Sequence, residues 1–352
     1  MREGRVRKTI IQIATLAALM FVTYYLIMRD KDFGQVWQVI ASSSKIWFLV
    51  AAACMTLYIF CGGWAIRVLM KGRGKHVSIW QCFKYSFVEF YFSALTPSSS
   101  GGQPVQLIYM RKDGFGLSDS TVVLAAITAL YKASFLIITA VLFLLNISFI
   151  AEPISSVWPL VIIGLVLNLG LIGILIMLLF STKILGFFAR KVISIGAKLH
   201  LVKDVEAKTK SFEKSLENYH ECAKFFMENK LLVLKTLGVL ALQRFSLLII
   251  PYLVYRSFGL SGYTLLQILA TQCLLNLCVE MMPLPGAVGI SEAVFLMLFT
   301  PIFTEANVTT AVLLSRGISF YLMVIVAGIA LMGISIAGIV RTNKKEVGET
   351  GN

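Results

Sequence analysis

The hydrophobic positions of this chain fall into long uninterrupted runs, separated by short polar stretches. A helix needs about 20 consecutive apolar residues to cross the hydrocarbon core of a bilayer. Runs of this kind predict six spans, at about residues 9–28, 46–69, 120–147, 158–180, 231–255 and 308–340. The pattern therefore predicts an all-α integral membrane protein that forms a single polytopic domain over residues 1–352.

Two further apolar segments, 77–95 and 263–281, run directly into breaks rich in Pro and Gly. The breaks read LTPSSSGGQPVQ at 95–106 and PLPGAVGISE at 283–292, and each places a Gly four residues after a Pro. Irregular backbone at membrane depth is tolerated only where it is buried in protein or lines a polar cavity. We therefore expect each segment to enter the membrane and turn back as a re-entrant hairpin.

The two breaks lie 188 residues apart, and the same offset relates the predicted spans around them. The first half covers residues 46–147 and the second half covers residues 231–340. Threading the chain with its basic loops in the cytoplasm gives the two halves opposite orientations. This predicts an inverted repeat whose two re-entrant hairpins meet near the midplane, where interrupted segments at matching positions indicate a transporter binding site. The alternative is two ordinary loops that share Pro and Gly because loops favour them.

The net charge of +14 takes its meaning from where the basic residues lie. They cluster at 1–8, 71–76, 181–230 and 341–345, whereas 148–157 has none. Lys and Arg accumulate in the cytoplasmic loops of membrane proteins. We therefore expect both termini in the cytoplasm, 148–157 as an outside loop and 181–230 as an amphipathic segment along the cytoplasmic surface. The expected location is the inner membrane of a bacterial cell, and no nucleic-acid binding is expected.

Composition and motifs argue against catalysis in this chain. It is 58% hydrophobic and only 14% charged, whereas soluble domains are about 25% charged. The six cysteines form no CxxC pair and the three histidines have no ligand spacing, so neither a disulfide framework nor a metal site is predicted. No phosphate-binding loop, nucleophile elbow or HExxH motif occurs. We therefore expect no catalytic residue, no metal and no other cofactor.

Charged residues within the apolar runs are candidate functional residues, because a charge at the centre of a membrane helix costs about 2.5–3.5 kcal/mol on insertion scales. They are Glu89, Lys132, Arg244, Glu280, Glu292 and Arg316. We expect Lys132 and Arg316 to bind a lipid phosphate; internal ion pairs and snorkelling, above all of Arg244 and Lys84, are the alternatives. The glycines supply unusual backbone conformations, and the helices after the breaks begin with N–H groups that can face an anion. The full set expected to bind the lipid head group is Pro97, Gly101, Gly102, Gln103, Arg111, Lys132, Glu280, Pro285, Gly286, Gly289, Glu292 and Arg316.

Three stretches of the chain resemble the lysylphosphatidylglycerol synthase transmembrane family, also called flippase-like. They read TPSSSGGQPVQLIYMRKDG, MPLPGAVGISEAVF and LLSRGISFYLMVIVAGI, and the resemblance covers about residues 10–340. The family is the membrane half of the multiple peptide resistance factor, so the resemblance implies movement of modified lipids between leaflets and a part in antibiotic resistance. Bifunctional members add a domain that takes lysine from charged tRNA, and this chain ends at Asn352 without it. The chain departs from the family at Gln103 and at Tyr131–Lys132, which leaves the head group open.

Together the residues and the resemblance predict a flippase-like protein that translocates a phospholipid between leaflets. We expect an anionic or aminoacylated phospholipid, such as aminoacylated phosphatidylglycerol, or a lipid that carries another modified or lipid-linked head group. The family name also suggests an enzyme, phosphatidylglycerol lysyltransferase. We identify no residues for lysyl transfer in this chain, so a separate lipid-modifying synthase would have to supply that activity. The remaining alternative is a non-transporting partner in cell-envelope lipid synthesis.

Overall fold

The computed structural model of the protein describes residues 33–180 and 223–334, together with Phe21, Tyr25 and Glu221. The predicted first span, most of the predicted interfacial segment and both termini lie outside these residues. The labelled helices are α1 (Phe33–Ser42), α2 (Lys45–Gly72), α3 (Ile79–Ala94), α4 (Gly102–Lys112), α5 (Leu117–Leu145), α6 (Ile147–Phe180), α7 (Lys230–Leu248), α8 (Ile250–Ser257), α9 (Leu265–Val279), α10 (Ile290–Arg316) and α11 (322–334). Apart from one isolated β-bridge, all regular secondary structure in the described part is helical.

Five helical segments among the described residues are long and apolar enough to cross a bilayer. They are Lys45–Gly72, Leu117–Leu145, Ile147–Met177, Lys230–Ser257 and Ile290–Ile334. Large apolar side chains such as Leu49, Leu144 and Ile163 are exposed on their outer faces, as a surface in contact with lipid tails requires. The prediction of an all-α membrane protein is confirmed, and the total number of spans stays a prediction.

Two of the long helices contain a sharp bend. α6 begins at Ile147 and bends at Val157, where φ is −129° and ψ is 19°. Most of residues 148–157 are therefore helical, where an irregular loop was expected, and their location outside the membrane stays a prediction. Pro159 lies just after the bend, so its missing N–H falls in the first turn of the continuing helix, where no helical partner is needed. In α10 the bend at Thr304 (φ 67°, ψ 158°) separates a short first arm from a long span, as the hydrophobic pattern predicts.

The first spans of the two predicted halves pack side by side in opposite directions. Gly72 at the end of α2 lies against the Leu232 side chain at the start of α7. Near the start of α2, the Trp47 ring lies 5.7 Å from the guanidinium of Arg256, at the end of α8. The two spans therefore run antiparallel along their length, which is the arrangement that the predicted inverted repeat requires.

The two ends of the helical bundle are marked by different contacts. At one end Arg73 and Lys75 pair with Asp119 at the start of α5, at 3.3 and 3.1 Å. At the other end the N–H of Ser44 donates to the carbonyl of Ser257 at 2.9 Å, which joins the start of α2 to the end of α8. We call the first the basic end and the second the opposite end.

α3 and α4 form a first hairpin that opens at the basic end. Close to its open end, Asp113 accepts hydrogen bonds from the Lys84 ammonium and the Tyr85 hydroxyl, and Gln106 Nε2 donates to the Tyr85 carbonyl at 3.2 Å. α3 has 16 residues and α4 has 11. At about 1.5 Å per residue, both are shorter than the roughly 30 Å of a hydrocarbon core. The chain thus returns to the end from which it started.

α9 and the first arm of α10 form a second hairpin, which opens at the opposite end. The Tyr263 hydroxyl, just before α9, donates to the Pro301 carbonyl at 3.1 Å. Tyr255 of α8 meets Tyr263 and Phe303 edge-on, with ring centroids 6.5 and 5.6 Å away. These contacts hold the start of one arm beside the end of the other. The two hairpins therefore point into the bundle from opposite ends.

Candidate functional site

The tips of the two hairpins meet between the ends of the bundle. An isolated antiparallel bridge pairs Pro97 with Pro285, the equivalent residues of the two breaks. Beside it the Ser98 hydroxyl lies within hydrogen-bonding distance of the carbonyls of Met281 and Met282, at 3.3 and 3.4 Å. Contact between equivalent residues is what a two-fold axis through the tips produces. Folding thus joins two breaks that are far apart in the sequence.

The two turns share one backbone conformation. Ser98 and Ser99 have φ values of 52° and 54°, and the residues 188 positions later, Gly286 and Ala287, have 58° and 51°. In each turn the second of these residues donates its N–H to the carbonyl three residues earlier, at 3.2 Å in the first turn and 3.0 Å in the second. A residue other than glycine in this region costs about 1–2 kcal/mol. The surrounding structure therefore imposes the turn on three such residues.

The glycines of the breaks have two separate roles. Gly286 and Gly289 have positive φ values of 58° and 91°, as predicted. Gly101 has a φ of −85° and Gly102 begins α4, so the prediction of an unusual backbone at these two positions is wrong. At Gly102 a Cβ would lie 2.6 Å from the carbonyl oxygen of Glu89. Glycine is needed there because the two arms of the hairpin approach closely.

Glu280, at the end of α9, binds cations from two different spans. It accepts from Lys132 Nζ at 2.7 Å and from Arg244 Nη2 at 2.9 and 3.2 Å. The guanidinium of Arg244 also lies 4.1 Å from the Tyr131 ring centroid and 4.4 Å from that of Phe135. Arg244 is 2% exposed, so the expectation that it snorkels is wrong; the carboxylate and the two rings stabilise its charge at depth. The three ionised groups carry one positive charge in excess.

Glu292, in the first turn of α10, connects the second tip to the turn that leads into α11. Its Oε1 accepts from Arg316 Nε and from the Tyr321 hydroxyl, both at 2.9 Å. Its Oε2 accepts from the N–H of Gly289 at 2.7 Å, so Glu292 itself supplies an anion at the start of its helix. Arg316 Nη2 donates to the Gly286 carbonyl at 2.8 Å. A π-helical turn, Gly317–Tyr321, directly follows Arg316 and ends at Tyr321. Turns of this kind recur at functional sites.

The remaining predicted residue positions divide between the tips and the basic end. Gln103 lies in the first turn of α4, beside the first tip, and is half-buried. Arg111 lies in the last turn of α4 and is exposed at the basic end, about 14 Å along the helix from Gly102 at about 1.5 Å per residue. The structure does not bring Arg111 together with the tip residues. Sequence reasoning also misses Tyr321, which donates to Glu292, and Tyr58, whose hydroxyl lies 3.3 Å from that of Tyr131. Single tyrosines in aromatic-rich apolar runs give no signal of their own.

Comparison with known proteins identifies the family. Residues 9–327 match the family described as the lysylphosphatidylglycerol synthase TM region. The chain belongs to this family. A UPF0104 membrane protein of Archaeoglobus fulgidus is 24% identical over 292 residues, which cover 80% of this chain and 84% of the relative. The UPF0104 membrane protein PH1989 of Pyrococcus horikoshii is 27% identical over 287 residues, which cover 76% and 82% of the two chains.

Family membership and the apolar helices together make this a multi-pass membrane protein. Both hairpin tips and all the charged residues around them lie within the matched family region. Pro97, Ser99 and Ser100 are exposed at the first tip, so polar backbone and hydroxyl groups are accessible beside the charges. Within the part of the chain that the structure describes, no group of three or more His, Cys, Asp and Glu side chains is placed to hold a metal ion. The chemistry available at the tips is hydrogen bonding and ion pairing with a polar group.

Proposed function

We propose that this membrane protein moves a phospholipid between the two leaflets, with the lipid head group passing through the site at the hairpin tips. The contact between Pro97 and Pro285 is the observation that carries the proposal. Two hairpins that open at opposite ends share one site between them. Sites of this kind, formed by interrupted segments near the midplane, are typical of secondary transporters with inverted repeats.

The charges at the tips support a polar cargo. Buried ion pairs contribute little stability compared with apolar packing, and each charge at membrane depth costs free energy. Glu280 with Lys132 and Arg244 has one positive charge in excess, which suits the phosphate of a head group. Arg244 donates to Glu280 through one nitrogen, and Lys132 has three N–H donors, so both have donors left for a ligand. We assign the phosphate to these two residues.

The proposal includes the inverted repeat of 46–147 and 231–340 and a cytoplasmic basic end. The antiparallel packing of α2 against α7 and α8 supports the repeat. The ion pairs of Arg73 and Lys75 at one end of the bundle support the orientation, because basic residues accumulate on the cytoplasmic side. Both termini are then cytoplasmic in a bacterial inner membrane.

The lipid is a phospholipid with an anionic or aminoacylated head group. We include aminoacylated phosphatidylglycerol because the family description names lysylphosphatidylglycerol. A separate synthase would supply such a lipid as a partner activity. Lysyl transfer by this chain itself is not part of the proposal.

A leaflet assay on purified protein tests the proposal. The protein is reconstituted in liposomes with a trace of phosphatidylglycerol labelled on its acyl chain, and a membrane-impermeant reductant bleaches the outer leaflet. We expect the wild type to bring inner-leaflet lipid to the outside faster than protein-free liposomes do, and Lys132→Gln to lose this activity. Lys224→Gln, a change at an exposed lysine of the basic end, is the matched control. Wild-type protein that does not accelerate bleaching contradicts the proposal.

A further inference from the structure

Glu89, on α3 near the first tip, has no cationic partner among the described residues. Its Oε1 accepts from the Ser93 hydroxyl at 3.1 Å. The same hydroxyl lies 3.3 Å from the Ser99 carbonyl, so its one hydrogen is shared between two acceptors. By contrast, Glu280 and Glu292 each bind at least one Lys or Arg. Glu89 is thus the carboxylate near the tips that the surrounding side chains leave unneutralised.

The first tip brings the surroundings of Glu89 close to those of Glu280. The Ser93 hydroxyl that donates to Glu89 also lies 3.3 Å from the Ser99 carbonyl. The hydroxyl of the neighbouring Ser98 lies 3.3 Å from the carbonyl of Met281, the residue after Glu280. Tyr58 and Tyr131 form a pair beside the positive charge. Their hydroxyl oxygens are 3.3 Å apart, and the Tyr131 ring covers the guanidinium of Arg244. The site therefore has a negative group beside the first tip and a surplus positive charge beside the residue that the first tip contacts on the second hairpin.

The position of Glu89 makes it reachable from the first tip. Glu89 is half-buried, and Ser99 and Ser100 beside it are exposed. Gly102 packs directly against the backbone carbonyl of Glu89, and the Ser93 hydroxyl that bonds the carboxylate also lies 3.3 Å from the Ser99 carbonyl of the turn. An ionised carboxylate in apolar surroundings is costly unless another group pairs with it. A ligand cation that enters at the tip would provide that pair.

We infer that Glu89 binds a protonated amine of the lipid head group, while Lys132 and Arg244 bind its phosphate. The inference rests on the proposed function and names its substrate class: a phospholipid whose head group carries both a phosphate and an ammonium group. Hydrogen bonds between a carboxylate and an ammonium are charge-assisted and stronger than neutral ones. A lipid with the phosphate but no amine leaves Glu89 unpaired and is the poorer ligand.

The leaflet assay with two acyl-labelled lipids tests the inference. Phosphatidylethanolamine and phosphatidylglycerol share the phosphate, and only the first has an amine. We expect wild-type protein to move phosphatidylethanolamine about tenfold faster, the effect of about one hydrogen bond to a charged group. Glu89→Gln should lower that rate to the phosphatidylglycerol rate and leave phosphatidylglycerol unchanged, and Glu89→Asp should keep the preference. Glu305→Gln, at an exposed carboxylate of the opposite end, is the matched control.

Two results overturn the inference: equal rates for both lipids in the wild type, or an equal loss of both in folded Glu89→Gln. The second result assigns Glu89 to proton transfer or to another step that both lipids share, instead of amine binding. Wild-type protein that moves neither lipid defeats the proposed function, and binding then tests Glu89 independently. In native mass spectrometry of the detergent-solubilised protein, the wild type should retain phosphatidylethanolamine in preference to phosphatidylglycerol, and Glu89→Gln should retain both equally. Equal retention by the wild type overturns the inference in that assay as well.

Discussion

Lys132 and Arg316 are equal candidates for phosphate binding in the sequence, and their contacts separate them. Arg316 binds Glu292 through Nε and the Gly286 carbonyl through Nη2, so its charge is used within the protein. Lys132 shares Glu280 with Arg244, so two cations meet one carboxylate. A surplus charge is available to a ligand, whereas a matched pair is not. We therefore retain Lys132 as a phosphate ligand and assign Arg316 to holding the second tip.

We expect opposite phenotypes from the replacement of Arg316 and of Lys132 by Gln. Arg316→Gln should reduce folded protein and lower its melting temperature, because Glu292 is 2% exposed and breaking a buried pair costs about 3–5 kcal/mol. Lys132→Gln should melt close to the wild type but fail in transport, because Arg244 still neutralises Glu280. Thermal unfolding in detergent, run beside the leaflet assay, measures both effects. Arg316→Gln protein as stable as the wild type would contradict the structural role and return Arg316 to the lipid site.

At the scale of elements, the hairpins combine local signals with a distant contact. Pro and Gly in each break stop a helix that is too short to cross a bilayer, and this signal is visible in the sequence. The turns themselves rely on left-handed Ser98, Ser99 and Ala287, residue types that do not predict this conformation. The pairing of the tips across 188 residues adds a constraint that local sequence does not encode. The break positions were therefore predictable, and the inverted repeat predicts that the two hairpins meet, but the pairing of Pro97 with Pro285 was not predictable.

A disulfide between the tips tests whether they must separate. Residues opposite each other in an antiparallel bridge have Cα atoms about 4.5–5.5 Å apart, a distance that a disulfide spans. Oxidation of the Pro97→Cys, Pro285→Cys double variant should therefore link the tips and stop lipid movement, and reductant should restore it. Each single variant is a control, since it has the substitution without a partner at the tips. Full transport in the linked protein would show that the tips stay together during the cycle.

At the scale of the whole molecule, the distribution of basic residues predicts the orientation of the protein in the membrane. The ion pairs of Arg73 and Lys75 lie at one end, and the first hairpin opens there. The second hairpin opens at the opposite end, so the two hairpin tips reach the shared site from opposite ends of the bundle. From the positive charge at the basic end we expect every copy to have that end on the cytoplasmic side of the membrane.

Cysteine labelling measures that orientation. In a background without native cysteines, Ser155→Cys at the opposite end should react with a membrane-impermeant thiol reagent in intact cells. Lys224→Cys at the basic end should react only after the cells are permeabilised, because Lys-rich ends face the cytoplasm. Both side chains are exposed, so access depends on sidedness. Labelling of Lys224→Cys in intact cells would contradict the proposed orientation.

The order of amino acids was enough to predict the apolar runs that enter the membrane, the places where two helices are interrupted and the charges that lie within apolar runs. These properties depend on local composition and on helix length, so they can be read along the chain. The pairing of these charges, by contrast, becomes visible only in the folded protein. Glu280 meets Lys132 and Arg244 across 148 and 36 residues, while Glu89 receives no cation among the described residues. Pairing depends on the depth and rotation of side chains on separate helices, and packing between those helices sets both.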